Sequence, residues 1–248
     1  MTKQIAIVGC SFTDLWTGDD ELTENPKDKN STYSWLWHAA KEHPDVIFDT
    51  YAKGGMGPLY FDMCLKELLR KKYNRVLLQL TDESRWFVPL RQEEPKHRPS
   101  WVREQITNNL RQYAFYWNTV LITGDIRRAV SKGIYQPKAI TQFYKQKIDP
   151  NNHWWGPSKL TYQYSRLFNQ TLDIIYGKLF DRFTYFSFFE QNVNNCNLEQ
   201  NVFDFMISKY GWHDFARKYT SPDKHLNYEG SRIAYEEYIK PFVLSKLL

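Results

Sequence analysis

Residues 5–11 read Ile5-Ala6-Ile7-Val8-Gly9-Cys10-Ser11, and this stretch decides the fold. Four apolar residues in a row, three of them β-branched, show none of the polar alternation of a half-exposed strand. They predict a short strand buried on both faces and stopped by a tight turn at Gly9-Cys10-Ser11. Strands of that kind belong to parallel sheets, whose faces are covered by the helices that connect the strands.

The same pattern recurs downstream. After a polar, acidic loop with Pro26, Ser31-Thr32-Tyr33-Ser34 supplies helix-capping residues ahead of Trp35-Leu36-Trp37-His38-Ala39-Ala40, so a first helix is predicted there. Val46-Ile47-Phe48 reads as a second strand and leads through Tyr51 into Lys53-Gly54-Gly55-Met56-Gly57-Pro58. Leu59 to Leu69 predicts a helix with Leu65, Leu68 and Leu69 on one face, and Arg75-Val76-Leu77-Leu78-Gln79-Leu80 a third strand. Parallel neighbours need crossover connections, usually helical, so three such units predict an α/β fold with a central parallel sheet. From Trp101 to Val130, apolar residues at three- and four-residue spacing (Ile106, Leu110, Tyr113, Trp117) predict helix, broken by Pro137. A further helix is expected from near Ser158 to about Leu179, after the polar stretch Asp149 to Pro157. The middle of the chain, about 86–180, therefore reads as a helical insertion or cap. Phe183 to Phe189 is β-prone and predicts the next core strand, Gln191 to Asn197 a loop. A last helix is expected from about Tyr228, through Ile233, Ala234 and Tyr238, toward Leu244.

Composition bounds the function classes. With 248 residues, 42% hydrophobic and 25% charged, the chain is expected to form one domain with a sizeable core, neither disordered nor fibrous. No run approaches eighteen consecutive apolar residues and the mean hydropathy is -0.63, which argues against a membrane span. The N-terminal residues lack the apolar core and cleavage site of a secretory signal, and a cytoplasmic protein is expected. Cys10, Cys64 and Cys196 are odd in number and show no CxxC spacing, so neither a disulfide framework nor a metal site is indicated. The net charge of +5 comes from basic residues dispersed along the chain, a weak signal for nucleic acid. Nine Trp, seventeen Tyr and sixteen Phe would suit stacking platforms for sugars or bases, but large aromatic side chains more often fill cores.

The residues able to carry chemistry fall at one edge. In α/β sheets ligands bind at the carboxyl ends of the strands, which makes Ser11 a candidate nucleophile; a serine there otherwise satisfies a turn or caps a helix. Gly54-Gly55 after the second strand and Thr81-Asp82-Glu83-Ser84-Arg85 after the third share that edge. A glycine lets backbone N–H groups approach a substrate oxygen, as an oxyanion site requires, although glycines in this position are also plain turn formers. His225, in Asp223-Lys224-His225-Leu226-Asn227, titrates in the range needed to activate a serine, and Asp223 is placed to orient its imidazole. The plainer alternative makes Asp223 and Asn227 capping residues and His225 a surface loop residue.

Taken in order, these blocks resemble the SGNH, or GDSL-type, hydrolase family. Ile7-Val8-Gly9-Cys10-Ser11-Phe12-Thr13 is similar to the family's Gly-Asp-Ser block, with Cys10 in place of the Asp. Ala52-Lys53-Gly54-Gly55 matches the block that supplies an oxyanion-hole glycine, and Asp223 to Gly230 the terminal Asp and His block. Roughly Trp86 to Tyr185 has no counterpart in the family. The resemblance implies a three-layer α/β/α, flavodoxin-like fold. It also implies an esterase in which Ser11 attacks an acyl carbonyl, His225 takes and returns the proton, and Asp223 orients His225. The N–H groups of Ser11 and Gly55 would stabilise the oxyanion, with no metal or cofactor. The substrate expected is a small-molecule or glycan ester.

Two departures stand out. The family's Gly-x-Asn-Asp block aligns with Thr81-Asp82-Glu83-Ser84-Arg85-Trp86, so Glu83 replaces an oxyanion-donating Asn; an ionised carboxylate only accepts hydrogen bonds, which leaves Arg85 or Ser84 as donors. Asp223 precedes His225 by two residues where the family has three. The combination also resembles divergent SGNH-like proteins of tailed bacteriophages, which implies action on a host or virion glycan or another phage component, in the host cytoplasm or the virion. The missing Asn favours the alternative of a catalytically altered SGNH-fold module that binds a glycan or a protein. A nucleic-acid-binding protein is the third reading and draws only on charge and aromatics.

Overall fold

A computed structural model of the chain describes residues 3–14, 33–52, 57–81, 86–92, 109–112, 117–122, 155–189, 200–221 and 225–248. Five of the described strands form one parallel sheet. Strand β1 (Lys3–Val8) lies at its centre, with β2 (Val46–Thr50) on one side and β3 (Arg75–Leu80) on the other. Ile5 to Val8 are wholly buried, as a strand covered on both faces must be. Ile7 pairs with Thr50 and Leu77, so β1 and β2 end close together while β3 runs on past them to Leu80.

Helix α1 (Trp35–Glu42) carries the chain from β1 to β2. Ser34 caps it by accepting from the Leu36 N–H, and it buries Trp35, Leu36, Ala39 and Ala40. Helix α2 (Pro58–Arg70) leads from β2 to β3; Pro58 at its first turn has no N–H to leave unsatisfied, and Tyr60, Phe61, Cys64, Leu65 and Leu68 form its buried stripe. Chain direction across the sheet reverses between β1 and β3, so a topological switch point lies outside their carboxyl ends. That is where Ser11 and Thr81 stand.

The middle of the chain departs from the helical expectation. Strand β4 (Trp86–Gln92) follows β3; β5 (Leu110–Gln112) joins the sheet beside β2, and β6 (Trp117–Ile122) pairs antiparallel with β4. The three- and four-residue apolar spacing through Leu110 and Trp117 is outweighed by the β-branched and aromatic content of Trp117-Asn118-Thr119-Val120-Leu121-Ile122, which suits a strand with a partner at hand. Just ahead of β5, the Asn109 amide donates to the carbonyls of Ala40, His43 and Val46, tying that strand to the α1–β2 turn. Helix α3 (Trp155–Ile175) is the long helix expected in this region, displaced toward the N-terminus by a few residues.

Strand β7 (Arg182–Ser187) pairs with β3 along its whole length. Helix α4 (Val202–Tyr210) follows, then a short turn of helix α5 (Trp212–Asp214) that runs into a π-helical turn, Phe215–Tyr219. The closing helix α6 (Tyr228–Ile233) likewise widens into a π-helical turn at Ala234–Ile239. Among the described residues α2 packs on α3, with the Tyr176 hydroxyl just past α3 donating to Asp62, and α1 packs on α6 and its π turn, with Tyr235 donating to Glu42 at 2.8 Å. Aromatic side chains supply much of the core: Trp35, Phe48, Tyr51, Phe61, Phe186, Phe188 and Tyr235 are its largest fully buried members. Among the described residues no helix is long and apolar enough to cross a membrane.

Candidate active site

The turn after β1 is built to present one side chain. Its outline is set by the Cys10 carbonyl, which accepts from the N–H groups of both Thr13 (3.0 Å) and Asp14 (2.8 Å). Cys10 and Phe12 point inward and are buried, while Ser11 between them is only partly covered. The turn closes tightly against β3. A Cβ on Gly9 would lie 2.9 Å from the Thr13 Cβ and 3.0 Å from the Gln79 Oε1, closer than real Cβ atoms normally come.

His225 arrives from the other end of the chain on a segment pinned at both sides. The Ser221 N–H and hydroxyl both donate to the His225 carbonyl, at 2.9 and 3.0 Å. Thr220 bridges to Leu226, and the Leu226 carbonyl accepts from the Tyr33 N–H at 2.9 Å. Asn227 then caps α6 by accepting from the Gly230 N–H (2.9 Å), while its amide donates to the Lys218 carbonyl (2.8 Å). Gly230 itself must be glycine, because a Cβ there would sit 2.1 Å from the Tyr219 carbonyl oxygen.

These two segments bring the His225 Nε2 to 2.7 Å from the Ser11 Oγ. With the proton on Nδ1, Nε2 accepts from the serine hydroxyl, the arrangement a base needs to take that proton during attack. The imidazole also rests on the Phe12 ring, with centroids 4.6 Å apart. Phe12 is held in turn by Phe188, Phe189 and Phe203 at 4.7, 5.3 and 5.3 Å. The Ser11 turn and the His225 imidazole are thus packed against one aromatic cluster. The capping role foreseen for Asn227 is present, whereas His225 is directed at Ser11 and is only partly exposed.

A second Ser–His contact exists and differs in every respect that matters for chemistry. His38 Nε2 lies 2.9 Å from the Ser231 Oγ. Ser231 is fully buried inside α6 and spends its proton on the Tyr228 carbonyl at 2.9 Å, so His38 is the donor of the pair. Burial above all, helped by the cations Arg232 and Lys41, pushes the His38 imidazole from its ordinary 6.5 down to about 4. This pair joins α1 to α6.

Of the residues singled out in sequence, the structure brings Ser11 and His225 together. Asp223, Gly54, Gly55, Glu83, Ser84 and Arg85 lie outside the described residues. Sequence reasoning passed over Gln79, Thr13 and Phe12, which fix the turn that carries Ser11. Gln79 had a readable signal: a lone polar residue within Val76-Leu77-Leu78-Gln79-Leu80, in a strand expected to be buried on both faces, must find hydrogen-bond partners there. The chain matches no protein-family model and no curated protein, so the SGNH resemblance stands on the motif residues quoted above.

Proposed function

We propose that this protein is a serine hydrolase of the SGNH type that cleaves a carboxylic ester. The observation that carries the reading is the 2.7 Å contact between the Ser11 Oγ and the His225 Nε2 at the carboxyl edge of a parallel sheet. In this reading the Ser11 oxygen attacks the acyl carbonyl as its proton passes to His225. The resulting oxyanion collapses and expels the alcohol, whose oxygen takes the proton back from His225. Water, activated by the same imidazole, then releases the acid and restores Ser11. Asp223 orients His225, the N–H groups of Ser11 and Gly55 receive the oxyanion beside Gly54, and Arg85 or Ser84 replaces the Asn that Glu83 displaces. A three-layer arrangement with a mid-chain cap, a substrate ester carried on a glycan, and a phage-encoded origin belong to the same reading.

A small activated ester tests it. Ser11→Ala and His225→Ala are each expected to lower turnover by at least about a thousandfold while the far-ultraviolet spectrum is unchanged, on the scale of losing one member of a nucleophile–base pair. Parental turnover by Ser11→Ala would remove the serine from the mechanism. A folded parent with no turnover that still captures a glycan or protein would favour the altered binding module, whose support in the sequence is Glu83 in the place of Asn.

A further inference from the structure

We propose that Gln79 is a positioning residue for Ser11, a role that rests on the hydrolase reading above. Gln79 stands in β3, the strand beside β1, and its side chain is fully buried. Its Oε1 accepts from the Cys10 N–H at 2.9 Å and from the Thr13 hydroxyl at 3.2 Å, while its Nε2 donates to the Leu80 carbonyl. The two residues it grips bracket Ser11 and Phe12.

The grip extends into α1. Thr13 Oγ1 accepts from the Trp35 indole N–H at 2.9 Å, and the Thr13 carbonyl accepts from the Ser34 hydroxyl at 3.0 Å. Ser34 is also the cap of α1. Sheet, nucleophile turn and helix are therefore joined through one carboxamide and one threonine. The N–H groups of Cys10, Thr13 and Asp14 are all committed within this network. Among the described residues the N–H groups of Ser11 and Phe12 have no acceptor, which leaves them for a substrate oxygen. Only a residue that both donates and accepts satisfies Cys10, Thr13 and Leu80 together, and in a buried strand an aliphatic side chain would leave the Cys10 N–H without an acceptor.

The test uses the full chain, a serine-reactive organophosphonate, and amide hydrogen exchange by NMR. Gln79→Leu removes the acceptor and the donor; Gln79→Glu, protonated at that depth, restores a C=O acceptor and an O–H donor. We expect Gln79→Leu to slow phosphonylation of Ser11 by at least about tenfold in rate constant while every molecule is eventually labelled, the scale of one lost hydrogen bond in the transition state. Gln79→Glu should return to within about threefold of the parent, and the Cys10 amide should exchange at least about tenfold faster in Gln79→Leu than in either. A merely structural residue would lower the fraction labelled and leave the rate constant alone; that result, or a folded Gln79→Leu with the parental rate constant, overturns the proposal. If Gln79→Leu does not fold, Gln79→Glu and Thr13→Val decide by the same two readouts: parental values in Thr13→Val count against the clamp, slower labelling with faster Cys10 exchange supports it. If the parent itself is never labelled, the hydrolase reading fails, and equal Cys10 exchange in parent and variant overturns the clamp separately.

Discussion

Ser11 and His225 stand 214 positions apart in the chain and 2.7 Å apart in space, and apolar side chains pack beside both in addition to the hydrogen bonds that hold their segments. Phe12 supports the imidazole from one side, and Cys10 and Phe12 are buried whereas Ser11 is only partly so. The contrast with His38 and Ser231 shows why proximity alone is not a site: there the serine is buried and its proton is already given to a carbonyl. Arg85 belongs to the same scale. If its guanidinium supplies the oxyanion donor that Glu83 cannot, Arg85→Lys keeps the charge, loses the planar fork, and should lower turnover at least about tenfold, or roughly 1.4 kcal/mol. Parental turnover by that variant on the protein's own substrate would put Arg85 outside the mechanism. At this scale the pair itself was legible, because Gly9-Cys10-Ser11 and Asp223-Lys224-His225 carry motif order. The support was less so: Phe12 reads in sequence as one more core aromatic, and nothing in its position announces that an imidazole 213 residues further on will rest against it.

The elements that could be read from sequence are those whose pattern admits one answer. Ile5 to Val8 and Arg75 to Leu80 are short apolar runs bounded by turns, and each is a strand of the sheet. Leu59 to Leu69 has a single apolar stripe and is a helix with Pro58 at its first turn. Val202–Tyr210 escaped because Val202, Phe203, Phe205, Met206 and Ile207 crowd most of the circumference of a two-turn helix, which leaves no clear period; its start is nonetheless marked by Asn201, which accepts from the Asp204 N–H at 2.9 Å. The π-helical turns at Phe215–Tyr219 and Ala234–Ile239 have no pattern of their own in sequence and arise from how the segments pack. Between them lies the junction that delivers His225, and Gly230 is its tightest point. Gly230→Ala would force a methyl into the space of the Tyr219 carbonyl and should destabilise the protein by about 1–3 kcal/mol, the usual range for overpacking. Urea denaturation measures it; an unchanged midpoint would mean that α6 shifts freely against Tyr219, and the account of a pinned His225 segment would fail.

For the whole molecule, the sheet sets where chemistry can occur and the packing of α1 on α6 sets how the fold responds to acid. His38 stays neutral in the folded state down to about pH 4, whereas an unfolded chain binds a proton on it near 6.5. The unfolded state therefore holds more protons in the window between, and stability falls as pH drops from 6.5 toward 4, with a slope from this group of at most about 1.4 kcal/mol per pH unit. His38→Gln, which keeps a donor for Ser231, should flatten that part of the stability curve; an unchanged slope would assign the acid sensitivity to other groups. In the proposed function Ser11 is a nucleophile served by His225. The most direct test of that role is to incubate the purified protein with a serine-reactive organophosphonate and locate the adduct by peptide mass spectrometry. A single adduct on Ser11, formed by the parent and lost in His225→Ala, is the result expected. A folded parent that forms no adduct on Ser11, or an adduct whose rate is the same without His225, would contradict it.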